Sequence, residues 1–176
     1  MNKTLMARLA LSLFIMANVL ATNAWADPKP GDKFGDWTYG CNQANDKKDA
    51  CYLSQAVLDK KTNTQIMLLQ FSRNDESKAL TLITILPLGI HFSSGVNGNI
   101  DKNNKVKLVL QTCLAMGCIA SYAPDKNEIK PLMAGKLMEV NFAVKAGKQP
   151  VTIPVSLNGL ADGAKAAGLT NSGWFN

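Results

Sequence analysis

Four cysteines constrain this chain more than any other feature. Cys41, Cys51, Cys113 and Cys118 all follow residue 26, with nine residues inside the first neighbouring pair and four inside the second. An even count in an exported chain reads as two disulfides. Three pairings are formally possible. The sequential one is favoured because each pair brackets a polar or Gly-bearing turn, which in a hairpin brings two Cβ atoms within bridging range. Chain entropy assigns roughly 2–3 kcal/mol to each such short loop. A zinc site fits poorly, since its cysteines usually stand two residues apart and are joined by histidines, and His91 is the single His here. Cys113-Leu-Ala-Met-Gly-Cys118 is also not the Cys-x-x-Cys of a thioredoxin-type redox pair. No metal or cofactor is expected.

The export premise comes from residues 1–26. Lys3 and Arg8 give a basic start, Leu9 to Ala21 is mostly apolar, and Ala24-Trp25-Ala26 places small residues before the expected cut. That is the three-part plan of a secretory signal peptide, with the mature chain starting at Asp27. Its apolar core is short for a membrane anchor, and no Cys stands near the cut to carry a lipid. No second long apolar stretch follows, so the mature chain is expected to have no transmembrane segment. Removing Lys3 and Arg8 lowers the formal charge from +6 to +4. The lysines are scattered and the aromatics are not interleaved with Arg, so nucleic-acid binding is not expected.

The mature chain reads as short strands separated by turns. Asp27 to Lys33 is a Pro-bearing, flexible lead-in. Strands are expected at Trp37–Cys41, Cys51–Leu58, Gln65–Phe71 and Ala79–Leu86, with Pro87 ending the fourth. Gln65–Phe71 has little polar relief and is expected to be buried on both faces, or near to it. Gly95–Ile100 and Lys105–Gln111 form a hairpin around Asp101 to Asn104, and Gly117–Tyr122 returns after the second Cys pair. Lys136–Lys145 and Pro150–Leu157 form the last hairpin. Two short helices are expected. Asp125–Ala134 has Ile129, Leu132 and Met133 at helical spacing, and Pro131 in its middle makes it a short helix or a broken one; Asn158–Gly168 is Ala-rich but weakened by Gly163. The Trp174-Phe175 pair suggests a docked tail. The fold class is mainly β: a single antiparallel β-sandwich or barrel-like domain with two short helices and two disulfides. An outer-membrane barrel is disfavoured by the helices and the bridged turns.

Little here points to catalysis. His91 is followed by Ser93 and Ser94, yet sequence neighbours are rarely triad partners and no Gly-x-Ser-x-Gly elbow is present. Asp75 with Glu76, and Asp125 with Glu128, could be imagined as acid–base pairs. Both lie where acidic residues ordinarily serve turns and helix starts. Gly95-Val96-Asn97-Gly98 lacks the Lys-Ser/Thr and the helix of a phosphate loop.

Phe34-Gly35-Asp36-Trp37, Cys41 and Cys51-Tyr52-Leu53 resemble the invasion associated locus B family of exported bacterial proteins. The resemblance continues through Leu86-Pro87-Leu88-Gly89-Ile90, Gly95-Val96, Ile100-Asp101, Gln111-Thr112-Cys113 and Gly117-Cys118. It closes at Val151 to Gly159. No single motif is specific; the ordered set is. The resemblance implies a disulfide-stapled, β-rich envelope domain over residues 34–176, with no catalytic residues to carry over. The Pro131-interrupted helix and the Trp-Phe tail depart from the family pattern. The expected function is therefore a non-enzymatic cell-envelope binding protein, periplasmic or at the outer surface. Its expected partner is an unknown protein or cell surface, met in association with or invasion of host cells. The alternatives are a periplasmic structural or accessory factor, and a small hydrolase using His91.

Overall fold

The computed structural model describes residues 27–42, 50–74 and 77–170. The leader, the Asp75-Glu76 pair and the Trp174-Phe175 tail lie outside them. Within them ten strands form one antiparallel sheet: β1 (Lys33–Phe34), β2 (Trp37–Asn42), β3 (Ala50–Leu58), β4 (Gln65–Arg73), β5 (Leu80–Leu86), β6 (Val96–Ile100), β7 (Asn104–Leu114), β8 (Gly117–Tyr122), β9 (Leu137–Phe142) and β10 (Val151–Ser156). Their order in the sheet is β1-β2-β3-β4-β5-β8-β7-β6-β9-β10. Two helices complete the fold, α1 (Lys126–Ala134) and α2 (Leu160–Ala166). The expected mainly-β, antiparallel class with two helices and two disulfides is what the structure has.

Period-two burial explains the strands. In β5, Leu80, Leu82, Ile83's neighbour Thr84 and Leu86 face inward and alternate with half-buried Thr81, Ile83 and Ile85. Gln65–Phe71 comes near the expected two-sided burial without reaching it: Met67, Leu69 and Phe71 are fully buried, whereas Ile66, Leu68 and Gln70 are only half-buried. One curved sheet has a single inner face, so no strand is covered on both sides. The strand the sequence did not reveal is β1, a two-residue pairing of Lys33 with Thr38 and Phe34 with Trp37 at the end of the Pro-bearing lead-in.

Strand β7 joins the two halves of the sheet. Its first part, Asn104 to Leu108, pairs with β6, and from Val109 onward it pairs with β8. A register shift between Leu110 and Thr112 marks a bulge at the change of partner, which bends and twists the strand locally. Inward residues from both halves then enter one core, including Leu53, Phe71 and Leu82 from one side and Leu108, Val140 and Val155 from the other.

The sheet curls but is not a closed barrel, since β1 pairs only with β2 and β10 only with β9. Its margins meet through side chains and loops instead. Trp37 Nε1 in β2 and Gln55 Nε2 in β3 both donate to the Ser156 carbonyl oxygen in β10, at 3.1 and 3.0 Å. Asp36 N donates to Asn158 O at 3.1 Å, and Ser156 Oγ donates to Asp36 Oδ2 at 2.5 Å. Pro154 sits in β10, an edge strand where a missing N–H is tolerated and further pairing is discouraged.

Pro131 does not break α1: of the two expected forms, a short helix or a broken one, the structure has the short helix. Asp125 caps the helix by accepting from Asn127 N and Glu128 N, while Glu128 accepts from Asp125 N, a complete capping box. Burial of Ile129, Leu132 and Met133 adds to it. In α2, Gly163 is a packing residue: a Cβ there would stand 2.9 Å from the Leu53 methyls and 3.1 Å from Phe34 Cβ. Its poor helix propensity is offset by close approach of the helix to β3. After α2, the Arg73 guanidinium of β4 donates to the Leu169 carbonyl oxygen.

Candidate functional site

The cysteines form the two sequential bridges, Cys41–Cys51 and Cys113–Cys118. Each joins residues that face one another directly, on β2 and β3 and on β7 and β8. Cross-strand neighbours in an antiparallel pair already hold their Cβ atoms close, so the bridges fix hairpins that the backbone register has brought together. The Tyr39 hydroxyl lies 3.2 Å from Cys41 Sγ.

His91 and Ser94 are brought together, with His91 Nδ1 2.8 Å from Ser94 Oγ. The contact spans one 3₁₀ turn, Phe92–Ser94, for which His91 is the N-terminal flanking residue. Ser93 is exposed and takes no part in it. A hydrolytic triad needs a third group that orients the base through its other ring nitrogen. Among the described residues no carboxylate bonds His91, so the pair reads as local turn chemistry. Asp125 and Glu128 are also close, but they are engaged in capping α1. Their charge is felt by Tyr122, whose hydroxyl is pushed above the ordinary phenol range chiefly by burial and further by Glu128 and Asp125.

The surface feature that the sequence reading missed lies at one end of the sheet. Odd-numbered strands run one way and even-numbered strands the other, so the connections β1–β2, β3–β4, β5–β6, β7–β8 and β9–β10 share that end. Leu86 pairs with Cys118, setting the β5–β6 loop beside the β7–β8 tip, and His91 N donates to Ala143 O at 2.6 Å, tying it to the β9–β10 loop. These connections expose Leu88, Phe92, Leu114, Met116 and Val144, each more than half accessible except Leu114 at 50%. The available signal was Leu114-Ala115-Met116-Gly117, an apolar turn held between two bridged cysteines where polar residues are usual.

Comparison with known proteins agrees with this architecture. A family model described as "Invasion associated locus B (IalB) protein" matches residues 37–168, well over half of the chain. Invasion protein B of Bartonella bacilliformis is 26% identical over 137 residues, which cover 76% of this chain and 72% of that protein. The crystal structure of invasion associated protein b from Bartonella henselae matches with a TM-score of 0.69 at 22% identity, covering 77% of this chain and 92% of that one. At that identity the likeness speaks to the fold.

Proposed function

The chain belongs to the invasion associated locus B family, and from that premise we propose that it is an exported, non-enzymatic binding module of the bacterial cell envelope. Membership supports a role related to invasion. On our reading that role is contact with a protein or surface partner through the loops at one end of the sheet.

The observation that carries the reading is the pair of bridges between facing strands. Such disulfides persist in oxidising compartments and are rare in a reducing cytosol, and the basic-apolar-small pattern of residues 1–26 supplies an export signal. Among the described residues no helix is long and apolar enough to cross a membrane. The non-enzymatic part rests on the isolation of the His91–Ser94 contact and on the capping role of Asp125 and Glu128.

Protease digestion of intact cells, set against cells whose outer membrane has been opened, tests this reading. Digestion in intact cells supports surface exposure and direct host contact. Protection until opening replaces that with a periplasmic accessory role, and recovery of the protein in the cytosol with free thiols overturns the reading altogether. His91→Ala with unchanged envelope phenotypes removes the hydrolase alternative.

A further inference from the structure

We propose that the loop-bearing end of the sheet docks on an anionic phospholipid surface, with the bridged β7–β8 tip entering the acyl region. This names the surface that the envelope-binding reading leaves open, and so rests on that reading.

The first argument is chemical. The β7–β8 tip, Leu114-Ala115-Met116-Gly117, has no charged or hydrogen-bonding side chain, and Met116 is 68% exposed. The neighbouring β5–β6 loop adds exposed Leu88 and Phe92 and carries no lysine, arginine or carboxylate. An apolar turn left in water normally folds back on the nearest hydrophobic surface. Here the Cys113–Cys118 bridge and the facing register hold the hairpin out. A stiff projection enters a binding site without first losing conformational freedom.

The second argument is the arrangement of charge. In sheet order, the β3–β4 turn lies on one side of these apolar loops and the β9–β10 loop on the other. The first carries exposed Lys60 and Lys61, and the second exposed Lys145 and Lys148. This end also carries two carboxylates: Asp59 accepts from Lys61 N at 2.8 Å, Thr62 N at 2.9 Å and Thr62 Oγ1 at 3.1 Å, and Asp36, in the β1–β2 turn, accepts from Ser156 Oγ at 2.5 Å. The result is an apolar centre free of Lys, Arg and carboxylates, flanked by four lysines that outnumber the two carboxylates, Asp59 and Asp36. The described connections at the opposite end place both signs together, with Lys78, Asp101, Lys102, Asp125, Lys126, Glu128, Lys130 and Lys136. A bilayer with anionic headgroups matches the first end: hydrocarbon takes the separate apolar tips, and headgroups take the lysines, whose long stems reach the interface.

The test uses the protein purified from an exporting bacterial host, sedimented with sucrose-loaded vesicles. Two compositions are compared, phosphatidylcholine alone and phosphatidylcholine with about one-third phosphatidylglycerol. Binding is expected on the anionic vesicles and is expected to weaken as salt rises. Lys145→Glu with Lys148→Glu should lower partitioning by about tenfold or more, since each lysine near such a surface contributes about fivefold. Leu114→Ser with Met116→Ser should lower it by at least about tenfold, while Val109→Ser, at an equally exposed apolar site in mid-strand, should leave it unchanged. All of these positions are exposed, so folding is preserved, and circular dichroism checks it. Met116→Trp provides a direct reading: a blue shift with quenching by brominated lipid supports insertion. No co-sedimentation, or co-sedimentation that the tip substitutions leave untouched, overturns the proposal and gives this end to a protein partner. The cell-fractionation test of the envelope reading is independent of either result.

Discussion

Trp37 and Ser156 stand near opposite margins of one ten-stranded sheet, yet the Trp37 indole N–H donates to the Ser156 carbonyl oxygen at 3.1 Å. Gln55 donates to the same oxygen at 3.0 Å. This carbonyl is where the curled sheet is held shut without a strand ladder. Trp37 is also completely buried, so it supplies both a donor and the largest single block of the core beneath the seam. Trp37→Phe keeps most of the ring volume and removes the donor. It should cost about 1–3 kcal/mol, read as a lower urea midpoint with an unchanged slope. Gln55→Leu with Trp37→Phe should cost more than the two single changes together, because only the pair leaves the carbonyl unpaired. Simple additivity would mean that the shared oxygen does not couple the two strands.

The bridges are separable by the loops they close. The chain-entropy relation gives about 3 kcal/mol for Cys41–Cys51 and about 2 kcal/mol for the shorter Cys113–Cys118 loop. Paired serine substitutions should lower stability in that order. Losing Cys113–Cys118 has a second expected effect that stability alone does not report: amide exchange should quicken through Leu114 to Gly117 while the β3 and β4 amides stay protected. Equal quickening throughout the sheet would mean that the bridge supports the whole fold rather than its own tip.

Much of this architecture was legible because it depends on short-range patterns. Turn residues and period-two alternation placed nine strands within a few residues of their observed limits, and both disulfides follow from cysteines that flank hairpin turns. Three features depended on partners far away in sequence. The full inner and partial outer burial of β4 required knowing that a single sheet encloses the core. The continuity of α1 through Pro131 required the capping box to act together with buried Ile129, Leu132 and Met133. The value of Gly163 lies in the Leu53 methyls it admits, not in its helix propensity. At the candidate surface, Leu114 and Met116 were visible as letters, but their clustering with Leu88, Phe92 and Val144 follows only from the strand order β5-β8-β7-β6-β9.

Tyr122 makes a prediction in pH. Burial, then Glu128 and Asp125, hold its hydroxyl neutral well above the ordinary value of 10.0. The folded chain therefore keeps a proton that the unfolded chain releases, and the associated stability is complete below about pH 10 and declines above it. The decline attributable to this group is at most about 1.4 kcal/mol per pH unit. Tyr122→Phe should remove that component, so the stability of the native protein should fall relative to that of the variant as pH climbs beyond 10. Curves that remain parallel would show that Tyr122 ionises as readily in the folded chain as in the unfolded one.

Gly159 tests the other part of the seam. It has φ +85°, and a Cβ on it would fall 2.1 Å from the Phe34 carbonyl oxygen, which belongs to backbone and cannot turn aside. Gly147, in the β9–β10 loop, has φ +68° with nothing within 4 Å of the same imagined atom. Both positions disfavour an L-residue, but only the first adds a collision. Gly147→Ala should therefore cost about 1 kcal/mol from backbone strain alone. Gly159→Ala should cost about 3 kcal/mol or more, since it pushes the β1–β2 turn away from Asn158 and weakens the Asp36 N to Asn158 O bond. Thermal melts of the two variants separate strain from contact. A similar loss in both would mean that the β1–β2 turn yields freely, and that the Trp37 and Gln55 bonds to Ser156 hold the sheet's margins together without it.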